Sequence, residues 1–332
     1  MVTMGIYGIG NPLMDFVTNQ SFEFLKNLNA LPGTMNLIDQ EKSSSILESI
    51  TQYRNIPGGS CANTLRGVSW LANALEQKLS LYFSGSLGDD EIGKKYEKLL
   101  KTLGITPLTA RKKLVTGSCV AVVTPDFERT MFTYLGASAA FNENDIDYET
   151  LGQCTILHFT GYMWGTPEQR RAVQKAVDLG RSNGVKISFD IADPFVVQNN
   201  QDEFLEWIPK HVDLLFGNRT EIQMLLGRDD EDSSLAMRAG SLAPQVVMKA
   251  GASGCYVNHN GHLIYSKGFP VDATDTVGAG DSFASGYLFA YLLGKSEKDC
   301  AALANKVASA IVTVPGCDFE AIDGRKVILE LL

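Results

Sequence analysis

No apolar run in the chain reaches the roughly 18 residues that a helix needs to cross a bilayer, which excludes a helical membrane anchor. No basic segment precedes the short apolar stretch of the opening MVTMGIYGIGNP, so the start does not read as a secretory signal, and a cytoplasmic protein is expected. Positive charge is in deficit: 29 Lys and Arg against 38 Asp and Glu leave a formal charge of −9. A nonspecific nucleic-acid surface, which requires clustered basic side chains to neutralise phosphates, is therefore not expected. The basic cluster from Arg111 to Lys113 reads as a solvated turn. The 6 cysteines, at 61, 119, 154, 255, 300 and 317, form no close pair, so neither a zinc site nor a disulfide framework is signalled. They read as reduced and mostly buried. His259 and His262 have a metal-like spacing, but they flank Asn260 and Gly261 between two strand-like runs, which is hairpin chemistry.

What is present fits an ordinary globular protein. With 332 residues, 45% apolar and 20% charged, it can bury a large core with a smaller appendage. From about residue 151 short apolar runs alternate with helical periodicity, as in βαβ units that build a parallel sheet. Thr155 to His158 reads as a strand. Thr166, Pro167 and Gln169 then supply an N-cap, a first-turn proline and a capping partner for a helix to about Asn183. Lys186 to Asp190 is the next strand, followed by a helix near Asp202 to Lys210, a strand at Leu214 to Gly217 and a helix after Asn218. The first half differs. Val115 to Thr124 and Arg129 to Leu135 are β-branched and aromatic runs around a turn at Pro125 and Asp126, which reads as a hairpin. With the segment from Phe16 to about Asp39, rich in helix breakers, they are expected to form a small appended sheet acting as a lid over approximately 16–40 and 112–138. Between these lie a helix from Cys61 to about Leu75, a strand at Leu81 to Ser84 and a helix from Glu91 to Leu103.

Two phosphate-loop look-alikes fail. Gly8-Ile9-Gly10 opens like a dinucleotide fingerprint, but Leu13 stands where the third glycine belongs and Pro12 disfavours an uninterrupted turn into a helix. GDDEIGK, Gly88 to Lys94, has the spacing of a Walker A loop, yet Lys95 replaces the Ser or Thr and three acids occupy the place of a polyanion. It reads as a loop capping the next helix.

Asp275-Thr276-Val277-Gly278-Ala279-Gly280-Asp281 survives inspection. Small residues at the start of the apolar helix Ser282 to Leu293 leave backbone N–H groups bare, and the helix dipole adds positive charge there. That is an anion site. Asp281 beside it makes sense if the anion is a phosphoryl group in transit, because the carboxylate can accept the proton of an attacking hydroxyl. A plain glycine turn with a first-turn acid explains the segment equally well on its own. A second cluster, Pro57-Gly58-Gly59-Ser60, precedes Asn63 at another helix start: the glycines permit close approach of a ligand and Asn63 offers both donor and acceptor. The alternative is a glycine turn with Ser60 as N-cap. Asp15, after Asn11, could grip a vicinal diol or be a solvated loop acid. Asn218 and Glu221 form a capping box, and a glutamate at that end of a parallel strand could also hold the water shell of Mg²⁺. Lys249 to Gly254, with Gly251, offers a glycine turn suited to nucleotide contact or to a tight hairpin.

At these residues the chain resembles the ribokinase family, or PfkB-type carbohydrate kinases, and its motifs are closest to adenosine kinase-like members. The signature D-T-x-G-A-G-D is matched at Asp275 to Asp281, the N-terminal glycine signature at Gly58 to Asn63, and N-x-x-E at Asn218 and Glu221. The resemblance covers nearly the whole chain and implies a three-layer, doubly wound, mostly parallel α/β sheet with a β-sheet lid. It implies an ATP- and Mg²⁺-dependent phosphotransferase with Asp281 as base and the amides of Gly278, Ala279 and Gly280 as anion hole. Glu221 with Asn218 would organise magnesium, Thr276, Lys249, Gly251 and Gly254 would lie near the nucleotide, and Asp275 would serve a monovalent cation such as K⁺ where one is used. Asn11, Asp15, Gly58, Gly59, Ser60 and Asn63 would hold the substrate, and Arg129 resembles a lid arginine that approaches the phosphoryl group. Tyr162, with Met163 or Trp164, falls where such kinases pack on a base. The segments Gly10 to Asp15 and Leu215 to Asn218 favour a purine nucleoside as small-molecule substrate; the alternatives are a sugar such as fructose or ribose, and a non-catalytic sensor. The valine at position 277 replaces the asparagine common in adenosine kinases, and Cys61 sits inside the N-terminal signature. An exposed lid edge could support a homodimer.

Overall fold

The computed structural model describes residues 3–126 and 128–329; Met1 and Val2, part of the opening read above for a secretory signal, lie outside them. In chain order the strands are β1 (Thr3–Ile9), β2 (Leu13–Asn19), β3 (Met35–Leu37), β4 (Arg54–Gly58), β5 (Ser80–Gly88), β6 (Ile105–Lys112) and β7 (Gly117–Val123). They continue with β8 (Arg129–Tyr134), β9 (Cys154–Thr160), β10 (Lys186–Asp190), β11 (Leu214–Asn218), β12 (Gln245–Lys249), β13 (Gly254–His259) and β14 (His262–Lys267). Among the described residues they form a nine-stranded sheet, ordered β14-β13-β12-β11-β10-β9-β1-β5-β6, and a five-stranded sheet, ordered β3-β8-β7-β2-β4. The large sheet is parallel from β6 to β12 and antiparallel at β13 and β14, where His259 and His262 face each other across the expected hairpin.

The alternation of side chains along each parallel strand splits the core in two. Ile6, Phe83, Phe216 and Val247 pack on one face with the helices Ser60–Ala74, Glu91–Thr102, Ala279–Leu292 and Glu297–Ile311. Tyr7, Phe159, Leu215 and Val246 pack on the other with Pro167–Ser182, Pro194–His211, Arg219–Leu226 and Asp232–Ala239. A period of two with both faces apolar is what a sheet sandwiched between helix layers requires. The three-layer, doubly wound reading holds.

The helix expected near 202 begins earlier, at Pro194 capped by Asp193, and is interrupted at Asn200 (φ −136°, ψ 17°). The segment from 16 to 39 carries a helix, Phe22–Asn27, capped by the Ser21 side chain. The small sheet also recruits β4, antiparallel to β2, which lay outside the expected lid segments.

Candidate active site

The carboxyl ends of β10, β11 and β12 meet the starts of the helices Ser60–Ala74 and Ala279–Leu292, the location at which open α/β sheets bind ligands. Asp281 is the junction. Ser60 Oγ donates to one carboxylate oxygen at 2.6 Å and Asn63 Nδ2 to the other at 3.0 Å. Burial pushes the Asp281 pKa up to about 6, against the pull of those two donors; Asp190 adds to the rise and Lys249 opposes it. A carboxylate poised near neutrality is suited to general base work.

The helix start beside it has no side-chain cap. Gly278 is left-handed (φ 72°), and a Cβ there would stand 2.7 Å from both Cβ and Sγ of Cys317, so only glycine fits. The Ala279 amide donates to the Thr276 carbonyl at 3.2 Å, which removes it from the expected anion hole. Among the described residues the amides of Gly278, Gly280 and Asp281 have no acceptor, and these are the bare donors. A Cβ on Gly280 would lie 3.3 Å from Lys249 Nζ, so the lysine ammonium reinforces the positive end of the helix.

The second glycine pair serves close approach. A Cβ on Gly58 would fall 2.3 Å from the Asp15 carboxylate, and Gly59 (φ 94°) would meet the Asn11 carbonyl oxygen at 2.2 Å. Asp15 thus lies flat against the loop. Its side chain has no hydrogen-bond partner among the described residues, and burial pushes its pKa up to about 7 against the opposing charges of Arg66 and Arg129. A carboxylate so placed is available to a ligand hydroxyl. Asn11 is held by neighbours instead: Gln169 Nε2 donates to its Oδ1 at 2.7 Å and its Nδ2 reaches the Tyr162 carbonyl at 3.5 Å.

Asn218 and Glu221 form the capping box in both directions. The Asn218 amide and Nδ2 donate to the two Glu221 oxygens at 2.7 and 2.6 Å, while Asn218 Oδ1 accepts the Glu221 amide at 2.9 Å. Glu221 is 1% exposed, and burial pushes its pKa up to about 7, with Lys249 opposing and Asp190 and Asp193 adding to the rise. Two acids that the sequence reading missed belong to this cluster. Asp190 pairs with Lys249 Nζ at 2.8 and 3.1 Å, and Asp193 accepts the Tyr162 hydroxyl at 3.1 Å. Burial alone would depress the Lys249 pKa; Asp190 and Glu221 hold it above the ordinary value. Ala192 between the two acids has a left-handed φ of 73°, strain of the kind that gathers at ligand sites. Asp190 closes an expected strand, so the rule that ligands bind at carboxyl strand ends is the signal that could have found it.

The donor set suits magnesium. The Glu221, Asp190 and Asp193 carboxylates present the hard oxygens that magnesium takes, and an ion that keeps most of its water needs few of them directly. A monovalent cation at Asp275 does not fit. Asp275 forms a buried ion pair with Arg129 and also accepts the Gly316 amide at 2.6 Å and the Val277 amide at 3.0 Å, so its charge is already compensated. That pair joins β8 of the small sheet to the anion loop, beside a cavity of about 510 Å³ lined by Gly33, Glu128, Met131, Thr276 and Val277.

The remaining residues divide. Tyr162 stays near the cluster, but Met163 and Trp164 are core residues, Trp164 packing edge-on against Phe204 and Trp207. Neither is available to stack on a base. Gly254 (φ 106°) is required by backbone contact, since a Cβ would stand 2.1 Å from the Ser266 carbonyl oxygen, whereas Gly251 (φ 58°) borders open space.

Comparisons with known proteins bear on the family and the fold. A family model described as pfkB family carbohydrate kinase matches residues 29–323. An adenosine kinase of Dictyostelium discoideum is 27% identical over 323 residues, covering 90% of this chain and 92% of that protein. The crystal structure of adenosine kinase from Sinorhizobium meliloti superposes with a TM-score of 0.90 at 25% identity, covering 99% of both chains. That of a probable sugar kinase from Rhizobium etli CFN 42 gives 0.91 at 25% identity and covers 100% of both.

Proposed function

Because the chain belongs to the pfkB family of carbohydrate kinases, a family of phosphotransferases, we propose that it moves the γ-phosphoryl group of ATP onto a primary hydroxyl of a purine nucleoside. The observation that carries the chemistry is Asp281, whose carboxylate stands at the mouth of bare helix-start amides with its two oxygens held by Ser60 and Asn63. Asp281 accepts the proton of the attacking hydroxyl. The amides of Gly280 and Asp281, with Lys249, meet the charge on the transferring group. Asp15 orients the acceptor through its hydroxyls, next to the Gly58 and Gly59 loop. Asp190, Asp193 and Glu221 would hold a hydrated Mg²⁺, which when bound neutralises the polyphosphate. The small sheet, tied to the anion loop through Arg129 and Asp275, serves as a lid that keeps water from the phosphoryl group.

The nucleoside assignment rests on the Asn11 to Asp15 segment and on the similarity to adenosine kinases. A sugar acceptor is the second reading, favoured by the burial of Met163 and Trp164, which removes two of the three candidate base-stacking side chains. An ADP-release assay over a panel of nucleosides and sugars separates the two. Turnover of adenosine or a related purine nucleoside is expected, and turnover confined to sugars would overturn the nucleoside reading.

A further inference from the structure

Arg66 is a buried cation that makes no direct ion pair among the described residues, its charge reaching the Asp15 carboxylate only at a distance. It lies on the helix Ser60–Ala74, 7% exposed, and forms no ion pair with any described residue; its Nε has no partner. A buried cation of this kind is costly unless something else requires it. Its acceptors are all neutral. Nη1 donates to the Pro57 carbonyl at 2.8 Å and to Asn63 Oδ1 at 3.0 Å, Nη2 donates to the Cys317 carbonyl at 3.2 Å, and the guanidinium carbon stands 5.9 Å from the centre of the Phe319 ring.

Each acceptor adjoins a different part of the site. Pro57 precedes the Gly58 and Gly59 turn, Cys317 packs on Gly278, and Asn63 donates to Asp281. A side-chain amide has one accepting and one donating end, and a guanidinium only donates. With Arg66 on one side and a carboxylate on the other, the Asn63 amide has one favourable orientation; reversed, it would set NH₂ against guanidinium and oxygen against carboxylate.

We propose that Arg66 is a positioning residue for phosphoryl transfer: it locks the Asn63 amide with Nδ2 toward Asp281, and so keeps the base ionised and aimed. The proposal rests on Asp281 being the base. The other titratable groups facing Asp281 are Asp190 from β10, Lys249 from β12, Asp15 from β2, Tyr162 after β9, and the thiols of Cys61 and Cys317. Arg66 also acts on Asp15, but Asp15 is assigned to acceptor binding, so that effect is read in KM for the acceptor and not in kcat.

The test is the pH dependence of kcat in Arg66→Met, Asn63→Ala and the double variant. In Arg66→Met the acid limb should move upward by about half a pH unit or more, since loss of a donor to the ionised form raises a carboxyl pKa. Asn63→Ala should move it the same way, and the double variant no further than either single one, because both act through one hydrogen bond. An unmoved limb in Arg66→Met, or additive shifts, would overturn the proposal. If Arg66→Met does not fold, Arg66→Lys, which keeps a cation but loses the fork, carries the test: its limb should fall between wild type and Asn63→Ala, and a wild-type limb would overturn the proposal. Asp281→Asn separates the two layers of inference. Full turnover there removes the base and Arg66's role together, whereas an inactive Asp281→Asn with an unmoved Arg66→Met limb removes only the latter.

Discussion

The helices that begin at Glu91 and at Ala279 both follow loops carrying glycine and acid, GDDEIGK and DTVGAGD, and the two starts end in opposite conditions. At the first, Asp90 is the N-cap. Its oxygens accept the Gly93 amide at 2.8 Å, the Thr116 amide at 2.7 Å and the Thr116 hydroxyl at 2.7 Å. Burial raises its pKa, but those hydrogen bonds outweigh burial and hold it below the ordinary value. At the second, a left-handed glycine replaces the capping side chain, the amides stay bare, and the acid sits three residues inside the boundary with its pKa pushed up. A helix start that supplies its own anion is closed, and one that withholds it is open to a foreign anion.

The sharpest break of this comparison is the isosteric removal of each acid. Asp281→Asn should lower kcat by at least about 10²-fold, the usual worth of a general base, with nucleotide affinity nearly intact. Its melting temperature should hold or rise: the folded pKa of about 6 lies above the ordinary 3.8, so the ionised form is a cost to the fold near neutral pH that a neutral amide relieves. Asp90→Asn should leave kcat unchanged. ADP release and thermal unfolding on both variants check the pair, and equal kinetic losses would show that the two helix starts do not differ as argued.

Next in size is Gly278→Ala. A left-handed alanine costs about 1–2 kcal/mol, the methyl group would also strike Cys317, and displacement of the amides should lower kcat by at least about tenfold. Gly227 (φ 62°) closes the helix Arg219–Leu226 away from the site, with only Gln201 Nε2 near its Cβ position, at 3.8 Å. Gly227→Ala should show a similar stability loss without the kinetic one.

The fold was legible wherever local chemistry decided it. Thr166, Pro167 and Gln169 mark the helix that spans Pro167–Ser182, and Lys186–Asp190 has the same bounds in the structure as in the sequence reading. β4 was hidden by Pro57, which a strand accepts only at an edge, and β4 is the edge beyond β2. The helix Pro194–His211 was half hidden because Phe195, Val196 and Val197 are residue types that favour strands and the break at Asn200 interrupts the helical period. At the site, the glycine motifs were legible because each carries a backbone requirement. The pairings were not. Ser60 and Asn63 meet Asp281 across 221 and 218 residues, and Lys249 meets Asp190 across 59, so only the assembled sheet brings them together.

The pH profile distinguishes the two acids with a smaller effect. As the proposed base, Asp281 has to be deprotonated to act, and its pKa of about 6 predicts that kcat falls as pH drops through 6 and reaches about a tenth of its plateau near pH 5, the fraction still ionised one unit below the pKa. Asp90, held below the ordinary carboxyl range, stays ionised throughout that window and adds nothing to the limb. An acid limb near pH 4 would mean that Asp281 titrates as if unburied, and the contrast between the two helix starts would lose its electrostatic half.

The smallest expected effect is thermodynamic. Asp90→Ala removes an N-cap together with the acceptor of the Thr116 amide and hydroxyl, and should lower stability by about 1–2 kcal/mol. Denaturant midpoints at constant slope measure it. Because Asp90 ties the helix Glu91–Thr102 to the segment entering β7, the loss should appear without change in kcat at saturating substrate. A fall in kcat larger than about twofold would mean that this closed helix start communicates with the open one, since a stability loss of that size leaves nearly all molecules folded.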